Sequence, residues 1–138
     1  MHRAQLLGKV SYGVTPQLAA EVASMGAVAY VEQQLAIPPA GAAGVLTGPN
    51  TLEADIFTRY QAYRDTDSYR PAKELRHAAV LRAAFHPGQL AERMVEFWTN
   101  HFSVYTGEED KNVRFAAASD DRDVIRAHAM GKFADLLV

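Results

Sequence analysis

The sequence predicts an all-α protein, about six helices in an irregular bundle around a central buried helix at residues 89–105. Three observations predict it. Apolar residues return at steps of three and four along most of the chain, and alanine, the best helix former, is abundant. The alternating pattern of a strand is almost absent. Helix starts and stops are marked by Thr15-Pro16, Pro38-Pro39, Pro71 and His86-Pro87-Gly88. At 138 residues the chain fits one domain, 1–138, long enough to bury a core.

Taken in order, residues 2–10 read as a short helix with Leu6, Leu7 and Val10 on one face. Ser11 to Val14 is a turn. Thr15 then caps a helix in which Pro16 needs no N–H partner. Leu18, Val22 and Met25 line that helix, Gly26 ends or bends it, and Val28, Val31 and Leu35 continue the apolar face. Residues 40–50, AGAAGVLTGPN, form a flexible loop. Thr51 is expected to cap a helix to about Arg64, with Glu53 and Asp55 favoured by the dipole in its first turn and Leu52, Ile56, Tyr60 and Tyr63 inward. Residues 65–70 turn. Pro71 opens a helix carrying Leu75, Ala78, Ala79, Leu81 and Phe85.

The central helix, QLAERMVEFWTNHFSVY, has one apolar row of Leu90, Met94, Phe97, His101 and Val104 and another of Val95, Trp98 and Phe102, so apolar residues cover most of its circumference. Residues 105–118 carry Glu108-Glu109-Asp110 and read as a mobile acidic surface loop. The last helix is expected to begin at Asp120 or Asp121, with Asp120 and Asp123 in a capping-box arrangement. Its apolar face is Val124, Ile125, Ala129, Phe133, Leu136 and Leu137. Gly131 falls inside it at a cost of ~1 kcal/mol relative to Ala, which points to the close approach of a bulky ring, with Trp98 as the suggested neighbour. Leu137-Val138 ends the sequence in mid-helix without a cap, as a truncation would.

Composition excludes several classes of function. The formal net charge is -2, from 14 basic and 16 acidic residues, too balanced to draw in nucleic acid or an anionic membrane. With no cysteine there is no disulfide, thiolate metal site or cysteine nucleophile. No apolar run approaches the ~20 residues of a membrane span. MHRAQLLGKV lacks the long apolar run and cleavage site of a secretory signal. Either the protein stays in the cytoplasm or the start of a precursor lies upstream. No phosphate loop or nucleophile elbow is present.

Three stretches resemble the N-terminal part of a bacterial family, domain of unknown function 1800. LLGKVSYGVTPQ (6–17) is similar to its opening helix and glycine turn. LAERMVEFWTNHFSV (90–104) is similar to its M-V-x-F-W-x-N-H-F signature, and IRAHAMGKFADLLV (125–138) to its I-R-x-H-A-x-G-x-F-x-D-L-L segment. The resemblance implies a helical fold and marks Trp98, Asn100, His101, Phe102, Arg126, His128 and Gly131. It implies no reaction. Members are typically longer and often exported, and their pattern continues to an acidic N-E-N-x-A-R-E motif that this sequence does not reach. The resemblance thus makes the chain the front of a longer helical domain.

Two functions from different classes follow. One is an interaction or assembly module, whose partner is the rest of the family domain or another protein. The other is part of a metal-dependent or hydrolase-like enzyme, joining His101, Asn100, Arg126 and His128 to acids supplied elsewhere. His101 and His128 are the candidate metal ligands, and to share an ion their rings must lie within roughly 4 Å. All five histidines stand singly, without the two-His spacing of a zinc helix, and a buried His is as readily satisfied by a carbonyl. Asn100 either bridges helices or orients His101. Arg126 either pairs with Asp123 on its own helix or holds Glu92 or Glu96 of the central helix, or a substrate anion. Glu92 and Glu96 form a solvated or salt-bridged face unless a cleft shifts their pKa values for acid and base work. Arg70, Lys73, Arg76 and Arg82 read as a modest basic surface, and Glu108-Glu109-Asp110 lacks the spacing of a calcium loop. The sequence names no cofactor.

Overall fold

A computed structural model describes residues 3–42, 46–103, 105–106 and 111–137. Every regular element among them is helical: α1 (Arg3–Val10), α2 (Pro16–Met25), α3 (Ala27–Ala36), α4 (Ile56–Tyr63), α5 (Arg70–Phe85), α6 (Gln89–Phe102), α7 (Lys111–Ser119), a π segment (Asp120–Ile125), α8 (Arg126–His128) and a 3-10 turn (Phe133–Leu136). The all-α expectation holds. His2, Val104, the acidic run Glu108-Glu109-Asp110 and part of the 40–50 loop lie outside the described residues.

The first three helices form where the sequence places them. Thr15 Oγ1 accepts the Leu18 N–H at 3.1 Å, and Pro16 opens α2. Gly26 has φ 91°, a conformation that lets α2 pass into α3 without a loop and that a side chain would strain. The inward face of α3 differs from the expected one. Val28 and Leu35 are exposed at 73% and 58%, whereas Tyr30 and Gln34 are buried. Gln34 is held by function of its amide: Nε2 donates to Pro87 O at 3.1 Å, and Oε1 accepts the Leu90 N–H at 3.2 Å. It thereby satisfies the Leu90 N–H, one of the free amides at the start of α6, and adds a second donor to Pro87 O, which also accepts the Gln89 N–H at 3.0 Å.

Five further expectations are corrected. Thr51 does not cap α4. Asp55 does, accepting the Thr58 N–H at 2.9 Å, while the Thr51 amide and hydroxyl both donate to Glu74 Oε2 at 2.6 and 2.7 Å. The segment 51–54 is a turn that buries Leu52 completely. Much of 105–118 is helix rather than loop, since α7 buries Phe115, Ala117 and Ala118, with Phe115 edge-on to Tyr60 at 5.4 Å. The last helix has no fresh start at Asp120. Ser119 is α-helical, and α7 runs on through the π segment into α8. Gly131 therefore lies in the turn after α8, and the atom nearest to a Cβ there is His128 O at 3.3 Å rather than any atom of Trp98. Leu137 follows the 3-10 turn and is not in mid-helix.

The α6 helix is shorter and more exposed than its apolar rows suggest. It stops at Phe102, where Ser103 takes a left-handed φ of 53° and its N–H donates to Thr99 O. Ala91, Glu92 and Val95 are its buried residues, while Phe97, Asn100 and His101 are exposed. The apolar core is divided into three clusters. Leu7, Val10, Val22 and Tyr30 join α1 to α3. Ala42, Leu52, Ala78 and Ala118 join α5 and α7 to the turn before α4. Val95, Ile125, Ala129 and Leu136 join α6 to the C-terminal segment. Arg59 and Arg82 are the two largest fully buried side chains among the described residues.

Gly88 fixes the approach of α6. A Cβ there would meet Ile37 Cγ2 at 2.8 Å and His86 Cε1 at 2.9 Å. The Ile37 branch sits close to its own backbone and cannot swing away, so Gly88→Ala should lower stability by about 1–3 kcal/mol, read as a lower midpoint in urea unfolding.

Candidate functional site

Between α5, α6 and the π segment lies a cavity of about 400 Å³. Its walls are mostly apolar, with Leu75, Ala79, Val80 and Ala83 from α5 and Val95 from α6. Polar groups come from Thr99 and Asn100 of α6, Asp120 and Asp121 of the π segment, and Arg126 and Glu92. Concave apolar surface with a few convergent polar groups is the usual form of a small-molecule site. A π turn in the wall is also a recurrent feature of functional sites.

Beside the cavity two guanidinium groups and two carboxylates are buried together. Arg126 grips Glu92 with both terminal nitrogens, at 3.0 and 2.9 Å, and its Nε donates to Asp121 Oδ2 at 2.9 Å. Glu92 Oε1 also accepts the Ala40 N–H at 2.9 Å. Arg82 lies 3.6 Å from Glu92 and 3.8 Å from Asp121, close enough for charge attraction but beyond hydrogen bonding. It donates from NH1 to Ala42 O, and its Nε and NH2 have no partner among the described residues. The π segment makes the Arg126–Asp121 pair possible. The Arg126 N–H donates to Asp121 O five residues back, and the side chains follow the same span. In an α-helix of 3.6 residues per turn, residues five apart diverge around the axis.

The electrostatics follow from these contacts. Burial would raise the Glu92 carboxyl, but the hydrogen bonds and charge of Arg126, the Ala40 amide and Arg82 outweigh it and hold the group below its ordinary value. Arg82 is pushed down, first by burial and then by the charge of Arg126. Arg126 is raised despite burial because it hydrogen-bonds both carboxylates. His86 Nδ1 stands 3.8 Å from Glu92 Oε1 and accepts the Gly88 N–H at 3.2 Å. Asp120 is different. It is half-buried, has no hydrogen bond or ion pair among the described residues, and is raised by burial and then by the neighbouring Asp121. Tyr12 at the cavity edge donates from its hydroxyl to Glu92 O at 3.1 Å, and its phenol is raised by burial, then by Glu96 and Glu92.

The sequence candidates divide between two places. Asn100 and Arg126 line the cavity. Arg126 does not pair with Asp123, which is taken by Arg122 at 2.6 Å, and Glu92 is a buried ion-pair member rather than part of a solvated face. His101 is exposed in an aromatic ledge, stacked on Phe97 at 6.0 Å and edge-on to Trp98, Phe102 and Phe133. Trp98 also packs on Phe133 at 5.4 Å and donates from Nε1 to Ala129 O at 3.1 Å. His128 lies apart, in a shallow pocket with Asp123, Val124 and Asp135. No group of three or more His, Asp or Glu suited to a metal occurs among the described residues.

Sequence reasoning missed Arg82, Asp121 and Asp120. Arg82 was placed on a basic surface but is fully buried. A signal existed, because Ala72, Leu75, Ala78 and Arg82 share one helical stripe, which puts a cation on an apolar face. Nothing in the sequence announced the π turn that turns Asp120 and Asp121 to the cavity.

No helix among the described residues is long and apolar enough to cross a membrane. Comparison with curated proteins and with solved structures gives no match. A family model, described as Protein of unknown function (DUF1800), matches residues 5–138. It takes in both walls of the cavity, the buried charge network and the aromatic ledge, and the chain belongs to that DUF1800 family.

Proposed function

We propose that the chain is an interaction and assembly module that packs another polypeptide against the aromatic ledge of α6 and the 3-10 turn. The observation that carries this reading is the exposure of rings already in mutual contact. Phe97 is 53% and Phe133 49% exposed, and both touch the Trp98 and His101 rings between them. Leu137, 62% exposed, follows directly in the chain, while Leu136 is turned into the core. Pre-ordered aromatic side chains lose little conformational freedom on docking and bury large apolar area, which is why such residues concentrate in interfaces.

A second reading keeps the chain as part of a metal-dependent or hydrolase-like enzyme. On its side is the presence of Asn100 and Arg126 in one cavity. One experiment separates the two. A photo-crosslinking residue is placed at Phe97 in the producing cells, with Val28, 73% exposed on α3, as the control position. A discrete polypeptide adduct at 97 and none at 28 is the expected result. Equal labelling at both positions, or none at 97, ends the interaction reading. A stoichiometric metal that co-purifies with the protein and is lost in His101→Ala would favour the enzyme.

A further inference from the structure

We propose that the cavity between α5, α6 and the π segment binds a small organic cation, an amine with a compact apolar body, whose ammonium group is held by Asp120. This site lies away from the aromatic ledge, so it stands or falls independently of the docking proposed there. The argument rests on which polar groups around the cavity are already satisfied. Glu92 and Asp121 are taken by Arg126 and faced by Arg82. The Thr99 hydroxyl donates to Val95 O, the Tyr12 hydroxyl to Glu92 O, and Glu96 faces Arg93 at 3.3 Å near the surface. Of the carboxylates at the cavity, Asp120 alone is half-buried without a partner among the described residues. Arg76, also at the cavity, is exposed and makes no ion pair with Asp120 among the described residues.

A carboxylate kept half out of water beside a second carboxylate is costly unless a cation arrives. Its raised pKa expresses the same cost, and an ammonium donating to it would recover that energy as a charge-assisted hydrogen bond. The remaining walls, Leu75, Ala79, Val80 and Val95, offer no hydrogen bond and suit hydrocarbon. A volume of about 400 Å³ accommodates a ring with a short chain. An anion of the same shape would meet Asp120 unfavourably.

The test uses three probes of one shape: 4-phenylbutylammonium, 4-phenylbutanol and 4-phenylbutyrate, titrated into the protein by NMR. The amine should bind about tenfold or more tighter than the alcohol, as one charge-assisted hydrogen bond allows, and the carboxylate more weakly than either. Amide shifts should centre on Ala79, Thr99 and Asp120. Asp120→Asn should bring the amine to the affinity of the alcohol. Ala79→Leu, which fills the cavity from a helix that tolerates leucine, should weaken amine and alcohol together. Equal binding of amine and alcohol, shifts centred elsewhere, an unchanged preference in Asp120→Asn, or no binding of any probe at millimolar concentration would each overturn the proposal.

Discussion

Glu92→Ala should be among the most damaging single substitutions in this protein, lowering stability by about 3–5 kcal/mol. The carboxylate is 3% exposed, and Arg126 grips it with two nitrogens. Its removal leaves Arg126 and Arg82 buried with Asp121 as their one remaining counter-charge, and the Ala40 amide loses its acceptor. Much of the cost is that of stranding the two cations, not the net worth of the pairs. A domain of ordinary stability, about 5–15 kcal/mol, would lose a large share of it, seen as a shift in chemical unfolding at constant slope. The same group sets an acid limit. Its folded pKa lies below its ordinary value of 4.5, so the unfolded chain takes up the proton first. The stability it supplies is complete above about pH 4.5 and is lost as pH falls through the folded pKa. Glu92→Gln should therefore show a smaller fall in stability below pH 4.5 than the parent protein, measured by urea unfolding at stepped pH. An identical pH profile would show that Glu92 does not carry this dependence.

Arg59→Met should destabilise the protein by about 3 kcal/mol or more. Arg59 is fully buried with no carboxylate in hydrogen-bond contact. Its guanidinium instead donates to the carbonyls of Thr51, Ala54 and Phe115, at 3.0, 2.6 and 2.5 Å, to Ser119 Oγ at 3.1 Å and to Leu52 O at 3.4 Å. It joins the 51–54 turn to the end of α7, beside the apolar contact of Leu52 and Ala118. Methionine keeps much of the volume and removes every donor. Arg122 also reaches Leu52 O and Ala54 O, and Thr51 O keeps the Ala54 N–H at 3.3 Å, so the loss falls mainly on the link to Phe115 O and Ser119 Oγ of α7. Arg59→Lys should recover only part of the loss, because one ammonium cannot span acceptors that the planar guanidinium reaches at once. Full recovery by lysine would mean that charge alone, without the fork geometry, holds the turn.

The local features of the fold were legible where local chemistry decides them. The Thr15-Pro16 start, the Gly26 break, the Pro71 opening and the His86-Pro87-Gly88 stop all appear in the structure. Arg126 with Glu92 was one of several pairings open in the sequence, beside Asp123, Glu96 and a substrate anion, and the structure makes it the central contact of the network. The errors fall where two local signals compete or where burial overrides polarity. Thr51 and Asp55 are both acceptable caps, and Glu74, distant in sequence, removed Thr51 from the choice. Arg82 reads as part of a basic surface, and no local pattern marks Gln34 or Arg59 as buried, because their partners are backbone carbonyls, a backbone amide and carboxylates on other elements. His101 sits in the most aromatic helix but faces outward, and Asn100 is exposed where it lines the cavity. The side of that helix which is buried is the one that carries Glu92.

Sequence alone determined that this chain is helical and roughly where its helices begin and end, because helix propensity, capping and proline act within a few residues. Its family signature was equally readable. The tertiary structure decided which faces are buried and how the charges are paired. The Arg126–Glu92–Asp121 network joins residues up to 34 positions apart, and it forms because a cation taken out of water must find acceptors wherever the packed helices bring them. The cavity with its unpaired Asp120 follows from a π turn that no local pattern encodes. It exists only where α5, α6 and that turn meet.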